Sequence, residues 1–215
     1  MMKTEMVLIR HGETGHNANR IIQGWSESQL NERGFLQVQA TAKALQNEVF
    51  DEIWYSDLDR TFRTMQEIAV YHPGVPMYPC EGLREWHLGF LEGYSHDEIQ
   101  EKYPEYETMF FTESVDLPIS GGERRSEFQS RVNRVFDELA ERCMGKKILV
   151  VTHGGVLTRF YYRLTGKSYR DIPEVANAAR SRAVYDSESK EWTILEWGVP
   201  CDLGTISADP SAPAL

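Results

Sequence analysis

A chain of 215 residues with 41% hydrophobic and 26% charged side chains can bury one good core, and a single domain over 1–215 is expected. Lys and Arg number 23 against 33 Asp and Glu, a formal charge of -10 that repels nucleic-acid phosphates and anionic lipid surfaces. Neither nucleic acid nor membrane is therefore an expected partner.

The run Met6-Val7-Leu8-Ile9 is continuously apolar, which predicts a strand buried on both faces that stops at Arg10-His11-Gly12. Phe35, Val38, Ala42, Leu45 and Val49 recur at three- and four-residue steps and predict a helix over 34–49 packed on the sheet. Ile53-Trp54-Tyr55 reads as a second strand. Leu58, Phe62, Met65 and Ala69 mark the next helix, opening at Ser56 or Asp57 as its cap with Arg60 in its first turn. From 73 to 118 prolines, glycines and aromatics break the pattern, and residues 86–122 read as a substrate-specificity excursion of loops and short helices.

Phe128, Val132, Val135, Leu139 and Cys143 predict a long helix. Ile148-Leu149-Val150-Val151 predicts a third buried strand, which ends at Thr152-His153-Gly154-Gly155 and runs on into a helix through Val156, Leu157, Phe160, Tyr161 and Leu164. Residues 182–185 and 192–197 read as a hairpin around 187–190, and the tail from Asp202 as an irregular surface segment. Strands alternating with helices predict an α/β three-layer sandwich with a mostly parallel central sheet. Ligands of such folds bind at the carboxyl ends of the strands, where both His-Gly pairs fall.

Cys80, Cys143 and Cys201 are odd in number and lack Cys-x-x-Cys spacing, so they read as free, reduced thiols. No run approaches the roughly 20 apolar residues of a membrane-spanning helix, and the apolar run at 6–9 is too short for a signal peptide. A cytoplasmic address is the expectation.

A glycine after each strand-end histidine lets backbone amides approach a ligand closely. An imidazole so placed can attack phosphorus, ligate a metal or cap the strand. Arg10 beside His11 disfavours a divalent ion and suits an oxyanion, and no carboxylate or third histidine stands at zinc spacing, so no metal and no cofactor are expected.

Leu8-Ile9-Arg10-His11-Gly12-Glu13-Thr14 with Asn17 resembles the Arg-His-Gly signature of the histidine phosphatase (phosphoglycerate mutase-like) superfamily. Ile22-Gln23-Gly24, Leu30-Asn31-Glu32-Arg33-Gly34, Tyr55-Ser56-Asp57-Leu58-Asp59-Arg60-Thr61, Leu83-Arg84-Glu85-Trp86-His87-Leu88-Gly89 and Val151-Thr152-His153-Gly154-Gly155 resemble further family motifs in the family's order. The resemblance implies a phosphoglycerate mutase-like fold and metal-independent hydrolysis of a small-molecule phosphate ester through phosphohistidine. It makes His11 the nucleophile, with a pKa lowered by Arg10 and Arg60 and its second ring nitrogen donating to a backbone carbonyl. Arg10 and Arg60 grip phosphoryl oxygens, a protonated His153 neutralises charge, and Asn17 and the Gly154 amide add donors. Glu85 is the implied proton donor, and Gln23 and Gly24 lie on the pocket rim. On a chain of charge -10 such a site must concentrate its cations locally.

Within that superfamily Leu88 stands where mutases carry a tyrosine, and the interval from Glu85 to His153 is compact, which favours the phosphatase branch over a cofactor-dependent phosphoglycerate mutase or a non-catalytic phosphate-binding module. Gly121-Gly122-Glu123 resembles a motif of the same branch. Arg124, His16 and Arg180 depart from the family's pattern at positions that bear on the pocket. Trp86, Phe90, Tyr94, Tyr103, Tyr106, Phe110 and Phe111 suggest a pocket walled by apolar rings, and His16, His72, His87 and His96 read as surface or packing residues. Whether the chain forms a homodimer is left open by the sequence.

Overall fold

A computed structural model describes residues 2–205. Strands β1 (Lys3–Arg10), β2 (Glu52–Tyr55), β3 (Met77–Pro79) and β4 (Lys147–Thr152) run parallel, and β5 (Arg180–Asp186) and β6 (Glu191–Val199) add an antiparallel hairpin beside β1. Across the sheet the order is β3-β2-β4-β1-β5-β6. The helices are α1 (Gly15–Ala18), α2 (Glu32–Leu45), α3 (Asp59–Ala69), α4 (His96–Lys102), α5 (Pro104–Phe111), α6 (Arg125–Arg142) and α7 (Gly154–Thr165). Among the described residues none is long and apolar enough to cross a membrane.

Successive strand side chains face opposite ways, so the continuous apolar runs of β1 and β4 feed two cores. Met6, Leu8, Ile148 and Val150 join Phe128, Val132, Phe136, Leu157 and Phe160 of α6 and α7 on one face. Val7, Ile9, Leu149 and Val151 join Val38, Ala42, Leu45, Met65 and Ile68 of α2 and α3 on the other. These are the three layers that the alternation of elements implies. The rings of Phe136 and Phe160 stack at 3.8 Å between α6 and α7, and removing either aromatic costs about 3–5 kcal/mol.

Three local expectations need correction. The helix expected over 34–49 starts at Glu32, where the Asn31 side chain accepts from the Gly34 amide at 2.7 Å, and stops at Leu45; Val49 keeps the spacing but lies beyond a turn, 81% exposed. Neither Ser56 nor Asp57 caps α3, whose N-cap is Leu58 without a side-chain bond, because the Ser56 hydroxyl meets His153 and the Asp57 carboxylate meets Arg84. The stretch from 73 to 118, expected to hold only loops and short helices, contains a strand, β3, paired to β2 at the sheet edge, where its Pro79 ends the ladder. Of the tail, Asp202 has no regular structure, 203–205 forms a single 3-10 turn, and 206–215 lie outside the described residues.

Candidate active site

In the parallel register Arg10 faces Thr152, and the His11 amide donates to the Thr152 carbonyl at 3.0 Å. The residues that follow, His11 and His153, therefore emerge side by side, with ring centroids 5.2 Å apart and planes at 62°. Both are buried, at 2% and 0% exposure. Gly12 is required here, since a Cβ would come within 2.6 Å of Val38 Cγ2 and 2.7 Å of the Gly34 carbonyl.

His11 Nδ1 lies 2.8 Å from the Gly12 carbonyl oxygen, which can only accept. Nδ1 thus carries the proton and the lone pair sits on Nε2. The His11 carbonyl is held in turn by Asn177 Nδ2 at 3.1 Å and the Ala178 amide at 3.1 Å. Burial, then the charges of Arg60 and Arg10, hold the His11 pKa well below its ordinary 6.5, against the opposing pull of the Gly12 carbonyl. A neutral, nucleophilic imidazole results.

Arg60, 1% exposed, projects from the first turn of α3. Its Nη2 donates to the Gly24 carbonyl at 2.6 Å, Nη1 to the Ser26 carbonyl at 3.2 Å and Nε to His153 Nδ1 at 3.2 Å. Burial lowers its pKa to about 10, so it stays charged at neutral pH. Arg10 anchors through Nη1 on the Val175 carbonyl at 2.7 Å, while its Nε is buried without a partner among the described residues, a donor left over for an oxyanion. Gly154 leaves room for it, since a Cβ there would stand 3.2 Å from Arg10 Nε.

The expectation of a protonated His153 is overturned by its hydrogen bonds. A guanidinium only donates, so Nδ1 must accept from Arg60, and the ring proton lies on Nε2, 2.8 Å from Ser56 Oγ. Burial, followed by Arg60, His11 and Arg10, drives the His153 pKa well below 6.5. The positive charge of the site belongs to the two arginines.

Glu85 reaches the cavity through a carboxylate that accepts from the Trp86 amide (Oε1, 2.9 Å) and the Gly155 amide (Oε2, 2.9 Å). Asn17 and Gln23 also line the cavity, cross-linked by Thr14 Oγ1, which lies 3.0 Å from Asn17 Oδ1 and 3.0 Å from Gln23 Oε1. Gly24 is not brought to the wall: it is buried, and its carbonyl holds Arg60 instead of a ligand. The cavity, about 830 Å³, thus gathers His11, Arg10, Arg60, Glu85, Asn17 and Gln23, with Gly154 at its edge.

Several contributors had no recognisable local signal. Ser56 read as a cap, Asn177 lies in an irregular stretch before β5, and Thr64 Oγ1 accepts from the Gly12 amide at 3.1 Å. Trp25 Nε1 and Arg131 Nη2 both donate to the Glu85 carbonyl, at 2.7 and 2.9 Å, and fix the loop that carries the acid. Of the seven aromatics expected to wall the pocket, Trp86, Phe110 and Phe111 do so. Phe90, Tyr94, Tyr103 and Tyr106 pack on one another in edge-to-face pairs because their apolar area is needed to fix α4 and α5. His96, read as a surface residue, borders the cavity and pairs with Glu107 at 3.0 Å. Arg124, His16 and Arg180 do not line it.

A family model of the histidine phosphatase superfamily (branch 1) matches residues 6–200. A metal-independent phosphoserine phosphatase of Arabidopsis thaliana is 37% identical over 94% of this chain and 84% of its own. Phosphoglycerate mutase-like protein 4 of the same plant is 34% identical over 90% and 84%. The solved structure of Bacillus stearothermophilus YhfR superposes with a TM-score of 0.84 at 28% identity, over 91% of this chain and 97% of its own. The chain belongs to branch 1 of the histidine phosphatase superfamily and is a phosphatase of the phosphoglycerate mutase family.

Proposed function

We propose that the enzyme hydrolyses small phosphomonoesters by transferring the phosphoryl group to Nε2 of His11. The lone pair of Nε2 attacks phosphorus, the bond to the ester oxygen breaks, and Glu85 gives the departing alcohol its proton. Water then attacks the phosphohistidine, passing a proton to Glu85, and phosphate leaves with His11 neutral again. Arg10 and Arg60 oppose the negative charge spread over the phosphoryl oxygens. Neutral His153 contributes by orienting Arg60 through its Nδ1.

The observation that carries this reading is the fixed tautomer: His11 Nδ1 is committed to the Gly12 carbonyl, so the free lone pair belongs to a ring flanked by two buried guanidiniums. The phosphoserine phosphatase relative makes phosphorylated amino and hydroxy acids the first substrates to try. Phosphate release from p-nitrophenyl phosphate and a panel of such esters, with EDTA present, tests the proposal. Turnover in EDTA with an acid-labile, alkali-stable phosphoenzyme that disappears in His11→Ala is expected. Loss of activity in EDTA, or a label that survives His11→Ala, sinks it. Interconversion of phosphoglycerates with bisphosphoglycerate present would instead favour a mutase.

A further inference from the structure

Beyond the two arginines that face His11, a third meets the cavity from one face of α7. Arg159 is 4% exposed and lines the cavity beside Thr158, across from Phe110 and Phe111. Its Nη1 donates to Glu113 Oε1 at 2.7 Å, and the other oxygen of that carboxylate lies 3.0 Å from Nη1 of Arg125, itself 6% exposed. Two buried guanidiniums share one carboxylate. Among the described residues no other carboxylate lies within ion-pair distance of either arginine, although Asp116 acts on Arg125 from farther away, so at contact distance two guanidiniums face one carboxylate. Among the same residues the Arg159 guanidinium donates a hydrogen bond only from Nη1, which leaves most of its N–H groups for something else.

The Arg159 donors that Glu113 leaves over are not sealed inside the protein but belong to a residue on the cavity lining, where an anion can accept from them. Position supplies a reason for the anion to belong to the substrate. Gly155, whose amide holds Glu85, precedes Arg159 by one helical turn, roughly 6 Å along the axis, and helical side chains lean back toward the N-terminus. Arg159 and His11 line the same cavity, so one occupant of it can meet both. Whereas the whole chain carries a charge of -10, Arg10, Arg20, Arg60 and Arg159 line this cavity against Glu85, Asp97 and Glu174.

We infer that Arg159 determines substrate specificity by binding a second oxyanion, so that the preferred substrates are small phosphomonoesters carrying a carboxylate or a further phosphate a few bonds from the ester. The inference rests on the phosphohistidine reading for the position of phosphorus. The competing role for Arg159 is to tie the Glu113 segment to α7 without touching substrate.

The two roles separate in a ratio measured within each variant, which is independent of how much of that variant folds. The probes are 3-phosphoglycerate against glycerol 1-phosphate for a carboxylate, fructose 1,6-bisphosphate against fructose 6-phosphate for a phosphate, and p-nitrophenyl phosphate as the reference with no anionic group besides the ester phosphate. In Arg159→Met, kcat/KM for the member of one pair that carries the second anionic group is expected to fall about 10- to 100-fold relative to its partner, mostly through KM, with p-nitrophenyl phosphate within about twofold of wild type. Arg159→Lys should recover part of the ratio. The pair that responds identifies the anion. Equal losses on both members of both pairs, or ratios that do not move, overturn the inference while leaving His11 phosphorylation intact; absence of a phosphoenzyme in the wild type would instead strike the underlying chemistry.

Discussion

At the carboxyl ends of β1 and β4 each of the two buried histidines follows directly on a paired strand residue, while much of the remaining cavity lining comes from loops and short helices between Glu85 and Phe111. The first region is held by ladder hydrogen bonds and two complete cores. The second is held by side chains: Arg131 and Trp25 on the Glu85 carbonyl, a ring cluster under α4 and α5, and the Glu113 carboxylate between Arg125 and Arg159. Where backbone places the groups, chemistry is fixed and changes to it are severe. Where side chains place them, Glu85 is oriented and the substrate body is read, and apart from Glu85 itself changes are graded.

That contrast can be broken first at its strongest point. His11→Ala should lower turnover of every phosphomonoester by at least about 10⁴-fold, measured as phosphate release, because the covalent route is gone. Uniform residual activity above that level would mean the strand end is not where the phosphoryl group lands. Glu85→Gln should cost about 10²- to 10⁴-fold, less for p-nitrophenyl phosphate, whose phenolate departs without a proton, than for an alkyl ester. Equal losses on both leaving groups would remove Glu85 from its acid role.

Smaller effects sharpen the comparison. Asn177→Ala deletes the donor shared by the His11 carbonyl (3.1 Å) and Asn17 Oδ1 (3.2 Å) and should cut kcat roughly 10-fold with little change in KM. Phe111→Ala, on the outer wall, should do the reverse, raising KM a few-fold for esters with an apolar body and leaving kcat for p-nitrophenyl phosphate within about twofold. A kcat loss for Phe111→Ala as large as that for Asn177→Ala would erase the distinction between the two regions.

The least dramatic effect is on stability. His11 and His153 titrate well below 6.5 when folded and near 6.5 when unfolded, so below about pH 6.5 the unfolded chain binds more protons than the native one. Their contribution is complete above that pH and is lost as the pH falls toward the folded values, by about 1.4 kcal/mol per pH unit for each ring. Urea unfolding between pH 7.5 and 5 should show this slope reduced in His11→Gln and His153→Asn. An unchanged slope would place the two rings in a less hostile environment than their burial implies.

Much of the reactive end was legible because its determinants are local. An apolar run followed by Arg-His-Gly or Thr-His-Gly-Gly implies a strand and what stands at its end, and the alternation of elements implies the layers. The second sphere was not legible, since Ser56, Thr64, Asn177 and Arg131 reach their partners across 97, 52, 166 and 46 positions of sequence, and nothing near any of them signals it. The charge on His153 was misjudged for a related reason. Nearby arginines suggest a field that an anion would exploit, but only the direction of the Arg60 hydrogen bond reveals which ring nitrogen is bare. Arg159 carries no local signal, since its ion pair is with Glu113, which arrives from a distant loop.

The space beside Glu85 has a last implication. A Cβ at residue 155 would fall 2.2 Å from Glu85 Oε1, so the proton-carrying group and the helix that starts after the second histidine are separated by no more than a hydrogen atom. Alanine at this place should swing the carboxylate off its amide and disable the acid while folding proceeds. Paired with Glu85→Ala, the same methyl group should be nearly silent. A side chain at 155 is therefore tolerated only where the residue at 85 has been shortened.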